Sequence, residues 1–160
     1  MSVAAIPADR RLAVEALLDD YVQALDGDRL EDWPELFLED GLYKVVSREN
    51  VALGLPAPLV YYYSRGMMRD RVTAIRDALT FEPLYIRHLV SGPRISGGDG
   101  AWNARSNFAI FQTSEEGRTR RYAVGEYCDR IVDTRQGLRF AERIVTLDSF
   151  AVYNLIAVPL

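Results

Sequence analysis

The chain has 160 residues and a net charge of −4, with one His, one Cys and no cluster of Lys or Arg. This length fits one domain, residues 1–160, with an apolar core; the acidic balance argues against nucleic acid, and a lone Cys excludes an intrachain disulfide framework. One His and one Cys also cannot by themselves build a His/Cys metal site; an all-protein iron or zinc centre usually takes several N or S ligands, and a facial iron triad alone takes two His.

No apolar run approaches the ~20 residues of a membrane span, and Met1 to Asp9 lacks the basic-then-apolar order of a signal peptide. The expected location is the cytoplasm, away from membranes. Lys44 is the only lysine, a bias that arginine-rich composition explains as well as interface use.

The first element is a helix over 9–26. Val14, Leu17, Leu18, Tyr21, Val22 and Leu25 form one apolar stripe at helical spacing. Asp9 is placed to cap it and Gly27 to end it. Asp32-Trp33-Pro34-Glu35 has the shape of a capping box with proline in the first turn, and Trp33, Leu36 and Phe37 give that short helix a buried face. Asp40-Gly41 reads as a turn into a strand from Leu42 to Val46. Ser47 to Pro58 reads as a surface loop and Leu59 to Tyr63 as a short strand. Ser64 caps a helix from Arg65 to Leu79, with Met68, Val72, Ile75 and Leu79 on one side and Glu82-Pro83 closing it.

Four strands follow: Tyr85 to Ile95, Ala101 to Thr113, Tyr122 to Val132 and Leu138 to Leu147. They are separated by turns at Ser96–Gly100, Glu116-Gly117 and Asp133–Gly137. Trp102, Ala104, Phe108 and Ile110 alternate onto one face. The tail from Phe150 to Leu160 is apolar, suited to pairing with the sheet or covering a partner. Helices followed by a long antiparallel meander define an α+β class. Strands this long favour a strongly curved sheet wrapped around the N-terminal helices as a cone, with a pocket between them.

Few residues invite chemistry. His88 is the one residue of a type whose unperturbed pKa lies near neutrality, which makes it a candidate general base in the cone, steered by Asp40 or another carboxylate, with Tyr21 near the pocket. The commoner reading of such a histidine is structural or interfacial. Glu126, Asp129, Glu142 and Asp148 interleave with Arg105, Arg130, Arg139 and Arg143, a pattern expected of cross-strand ion pairs on an exposed or intersubunit face. Gly97, Gly98 and Gly100 precede no helix and make no nucleotide fingerprint. Ser64, Ser91 and Ser96 lack a nucleophile elbow. Cys128 lies inside a strand, as an inert thiol does.

Four segments, in order, resemble the small (beta) subunit of aromatic-ring-hydroxylating dioxygenases. They are Arg87-His88 followed by Leu89-Val90-Ser91, then Ser106-Asn107-Phe108, then Tyr122 to Asp129 as Tyr-x-x-Gly-x-x-x-Asp, then Leu138 to Asp148 with Arg143 and Leu147-Asp148. The resemblance covers nearly the whole chain. Gly125-Glu126-Tyr127 and the final Ala157-Val158-Pro159-Leu160 lean toward enzymes of aromatic carboxylates such as terephthalate or salicylate.

The resemblance implies the cystatin-like cone shared with nuclear transport factor 2 and scytalone dehydratase. It implies a trimer of these subunits under a trimer of large subunits, α3β3. The large (alpha) subunit would carry the [2Fe-2S] Rieske cluster and the mononuclear Fe(II), and this chain no cofactor. Electrons would come from NAD(P)H through a ferredoxin or reductase. This chain would then be a non-catalytic structural subunit of an oxidoreductase, with Arg87, His88, Arg105, Tyr127 and Arg143 as interface residues. Two alternatives use the same cone: a stand-alone lyase or isomerase with His88, Asp40 and Tyr21, or a small-molecule binder.

Overall fold

The computed structural model describes residues 6–78, 85–148 and 158–160. Helix α1 (Ala8–Asp26) buries Val14, Leu17, Leu18, Tyr21 and Leu25, with Ala24 added and Val22 half-buried at the margin. Pro7 holds the N-cap position without a side-chain cap. Asp9 therefore lies in the first turn, where its charge suits the helix dipole, and is not the cap. Gly27 ends the helix as expected.

The expected capping box does not form. Asp32 pairs with Arg29, and Pro34 opens a single 3-10 turn, Pro34–Leu36, with no side-chain cap. Strand β1 (Phe37–Ser47) starts earlier than the sequence suggested, because Asp40-Gly41 is an irregularity within it and not a turn. A Cβ at Gly41 would sit 2.9 Å from the Leu38 carbonyl, so glycine lets the strand kink there. The stretch read as loop contains a short helix, α2 (Arg48–Ala52), whose Ser47 cap accepts the Asn50 N–H at 3.1 Å. Strand β2 (Val60–Tyr62) pairs antiparallel with β1. Helix α3 (Arg65–Ala78) is capped by Ser64, whose Oγ accepts the Met67 N–H, and it buries Met68, Val72 and Ile75. Leu79, Glu82-Pro83 and most of the apolar tail lie outside the described residues.

The strand expected from Tyr85 to Ile95 is two strands, β3 (Tyr85–Val90) and β4 (Arg94–Gly98). Ser91-Gly92-Pro93 separates them, since proline has no N–H for the ladder. Both pair antiparallel with β5 (Ala101–Thr113), which pairs with β6 (Thr119–Thr134), which pairs with β7 (Gly137–Leu147). The order is β2-β1-β7-β6-β5-β3 with β4 also on β5, and β1 joins β7 in parallel. Register shifts at Phe37/Leu42, Ile110/Phe111 and Arg130/Ile131 bend three strands. The result is a curled, unclosed sheet with α1 across β3 and β7 and α3 against β1 and β2. Its concave side meets the helices in one core containing Trp33, Phe37, Tyr43, Phe108, Tyr127 and Phe140.

Gly125 is the tightest point of that curl. A Cβ there would lie 2.0 Å from the Thr146 carbonyl oxygen and 3.1 Å from the Phe108 ring. The Gly of the Tyr-x-x-Gly-x-x-x-Asp stretch is thus required by close approach of neighbouring backbone.

Candidate functional site

The Asp of the same stretch organises the interior. Asp129 on β6 and Arg143 on β7 face each other in register. Arg143 donates from Nε at 2.7 Å and Nη2 at 2.8 Å to the two carboxylate oxygens. Arg143 is 1% exposed and Asp129 4%. This pair was expected on an exposed or intersubunit face, and the structure corrects that: in the bent sheet both positions point inward. Burial opposes the charge on Arg143, and the adjacent carboxylate more than restores it. Its guanidinium also lies 3.9 Å from the Tyr21 ring centroid, 4.3 Å from Tyr127 and 4.4 Å from Phe140. Three aromatic faces surround one cation, an arrangement strengthened by the absence of water.

His88 on β3 is likewise internal. Its partner is Asp26 at the end of α1, and not Asp40, which is exposed on β1. Asp26 Oδ1 lies 2.5 Å from His88 Nδ1, and its Oδ2 accepts the His88 backbone N–H at 3.0 Å. One carboxylate therefore ties the end of α1 to β3. The outward nitrogen, Nε2, is buried with no partner among the described residues, as are Ser106 Oγ, Tyr127 OH and Arg143 Nη1. A carboxylate on Nδ1 with Nε2 free is the orientation of a general base.

Tyr21 does lie in the interior, edge-on to Tyr127 and Phe140. Its hydroxyl donates to the Leu160 carbonyl oxygen. Tyr43 on β1 donates to the same oxygen at 3.3 Å and accepts the Leu160 N–H at 2.9 Å. Burial raises the pKa of both phenols, and of Tyr127. The pocket expected between helices and sheet is thus filled at this point by a residue of the chain itself. Asp26 and Tyr43 were not singled out from the sequence, and Leu160 entered only as the end of the apolar tail. Asp26 had the weak signal of a carboxylate ending a helix; Tyr43 had none.

The outer face carries the remaining charge. Arg105 on β5 holds Glu126 on β6 at 2.7 and 3.0 Å, both partly or fully exposed, as the cross-strand pattern predicted. Arg48 pairs with Asp148 at 2.6 Å. Cys128 is half-buried beside Arg105 and Glu126, and burial pushes its thiol up, which keeps it protonated and unreactive. Arg87 is exposed on β3 between Tyr85 and Leu89, themselves 66% and 58% exposed. Val51, Leu53, Leu55, Leu59, Tyr61 and Tyr63 form a second exposed apolar stretch that sequence reading had treated only as loop and strand. Of the residues named for an interface, Arg87 and Arg105 are therefore at the surface, whereas His88, Tyr127 and Arg143 are core.

Among the described residues no group of three or more His, Cys, Asp and Glu is placed to hold a metal ion. A Rieske cluster takes two Cys and two His, so this chain's residues do not fit one. No helix among the described residues is long and apolar enough to cross a membrane.

These features define a cystatin-like chain. A protein of Novosphingobium aromaticivorans, described as NTF2-like with a cystatin-like fold, shares the fold at TM-score 0.69 and 19% identity, covering 89% of this chain and 84% of that one. Residues 21–153 match the ring hydroxylating beta subunit family, and the chain belongs to it. It is accordingly a beta subunit of a ring-hydroxylating dioxygenase, an oxidoreductase complex. It is 40% identical over 141 residues to the anthranilate 1,2-dioxygenase small subunit of Burkholderia cepacia, covering 88% of each chain. It is 36% identical to the beta 1 subunit of the terminal oxygenase component of terephthalate 1,2-dioxygenase from a Comamonas species, covering 88% and 92%. The solved structure described as the beta subunit of an aromatic-ring-hydroxylating dioxygenase of Novosphingobium aromaticivorans superposes at TM-score 0.86 with 38% identity, covering 95% and 97%.

Proposed function

We propose that this chain is a non-catalytic assembly subunit. It would hold large subunits in register in an α3β3 complex, in which the large subunit hydroxylates an aromatic acid with O2 and electrons from NAD(P)H. The observation that carries this reading is the commitment of the interior charges. Arg143 is held by Asp129 and His88 by Asp26, each buried beneath the sheet. On the outer surface, exposed Tyr85 and Leu89 flank Arg87, and Arg105 stands exposed with Glu126, a composition suited to protein contacts. The aromatic-acid class rests on the substrates in the names of the two relatives, anthranilate and terephthalate. The iron groups would supply oxygen activation from the large subunit, and a ferredoxin or reductase would deliver electrons there. The cytoplasm is the expected location.

The test is a native mass with iron analysis on tagged chain purified from its own host. Equal numbers of this chain and a larger iron protein are expected, with Arg87→Glu and Arg105→Glu weakening the association. A lone, iron-free homo-oligomer would sink the proposal. One observation favours a second reading, a lyase or isomerase: the Asp26–His88 arrangement with its free Nε2. In that case the isolated chain would turn over a substrate, and His88→Ala would abolish turnover without changing assembly.

A further inference from the structure

Tyr21 comes from α1 and Tyr43 from β1, yet both hydroxyls converge on one backbone unit, that of Leu160. Leu160 is 1% exposed, so this is an interior contact. The surroundings are aromatic: Tyr127 and Phe140 beside Tyr21, and Trp33, Phe37 and Tyr62 beside Tyr43. The Tyr127 hydroxyl, in the same aromatic group, is buried and has no partner among the described residues. Two phenolic groups aimed at one carbonyl, a spare third, and apolar rings around them have the make-up of a small-molecule site: a mostly apolar lining with a few convergent polar groups.

We propose that the Tyr21–Tyr43 pair is a binding site for a compact apolar carboxylic acid, and that Leu160 of the same chain occupies it. The leucine side chain stands in for the apolar body of the ligand, and its carbonyl for the ligand's oxygen. Tyr43 adds a second anchor, because its hydroxyl donates to the Leu160 carbonyl and accepts the Leu160 N–H. An occupant attached to the chain is present at high effective concentration, so a free ligand competes only when the segment is withdrawn or shortened. The site is therefore closed by default. It is independent of the assembly role proposed above.

The probe is 4-methylpentanoate, which joins a leucine-like body to a carboxyl group. It is titrated by NMR into the unaltered chain and into the chain stopped after Ala157. The stopped chain is expected to bind it saturably and the unaltered chain not to. In the stopped chain, Tyr21→Phe and Tyr43→Phe should each weaken binding about tenfold, the effect of one lost hydrogen bond. A folded stopped chain that does not bind would overturn the proposal, as would equal binding by both chains or indifference to both tyrosines. Should the stopped chain lose its fold, saturating 4-methylpentanoate is expected to restore it in far-UV circular dichroism, because a ligand stabilises the state that binds it. Failure to restore it would count against the site equally.

Discussion

Replacing Arg143 by Met isolates the largest single electrostatic commitment in the core. The substitution keeps a long apolar side chain but removes two hydrogen bonds of 2.7 and 2.8 Å to Asp129. It also removes a cation 3.9 to 4.4 Å from three ring centroids. Asp129 would be left buried and unpaired. Breaking a buried pair from one side costs about 3–5 kcal/mol, because the remaining charge has lost its partner. That is a large share of the ~5–15 kcal/mol that holds a domain of ordinary stability together. Pairing Arg143→Met with Asp129→Leu should recover most of the loss, since apolar residues of similar volume often replace a buried pair at little cost. The assay is urea unfolding of the purified chain for both single variants and the double variant. The sign of the pH dependence gives a second readout. A buried, unpaired Asp129 has a folded-state pKa above its unfolded value, so Arg143→Met should lose stability as pH rises past the unfolded value, near 4. A single variant costing less than about 1 kcal/mol, or a double variant costing the sum of the singles, would refute the reasoning.

Three further outcomes rest on the same structure. Gly125→Ala should lower the melting temperature, with a cost of at least ~1–3 kcal/mol, because the obstacle is backbone and cannot swing away. Gly98→Ala, whose Cβ would meet nothing within 4 Å, should stay within ~0.5 kcal/mol in the same thermal melts. In acid, Glu31 is held down to about 2 from an ordinary 4.5, chiefly by its hydrogen bond to Arg76. Its folded pKa is depressed, so the stabilisation from the Glu31–Arg76 pair is present above 4.5 and lost as pH falls toward 2, while the Asp28 carbonyl still accepts from Arg76. A carbon-detected titration of Glu31 should show this, and Arg76→Met should return the carboxyl to its ordinary range.

Much of the fold could be read from the chain because its signals are local. The α1 stripe, the Ser64 cap and the bounds of β5 and β7 each depend on spacing within one element. The misses share a cause. Asp40-Gly41 reads as a turn, but pairing of β1 with β7, far along the chain, turns it into a kink within a strand. Asp32 has the right spacing for a cap, yet Arg29 competes for it. At the site, the sequence offered Asp40 or another carboxylate for His88, and the curl of the sheet delivers Asp26. The alternation of charge on β6 and β7 was legible; which pair turned inward was not, because the face that meets the helices is set by how the sheet curls around them and not by spacing within a strand. Arg143 and Asp129 carried a motif whose physical content, a buried ion pair inside an aromatic cage, needed three dimensions to appear.

The parallel joint between β1 and β7 bears on how the chain is made. Lys44 pairs with Ile144 and Val45 with Val145, so an early strand waits for one of the last to be synthesised. Until β7 leaves the ribosome, β1 has only the three-residue β2 beside it and an unfilled hydrogen-bonding edge on the other side. Such non-local pairing folds slowly and exposes sticky edges on the way. Synthesis in a foreign host at high rate should therefore yield aggregates that slower translation or cooler growth relieves. The step that rescues the nascent chain is the arrival of β7.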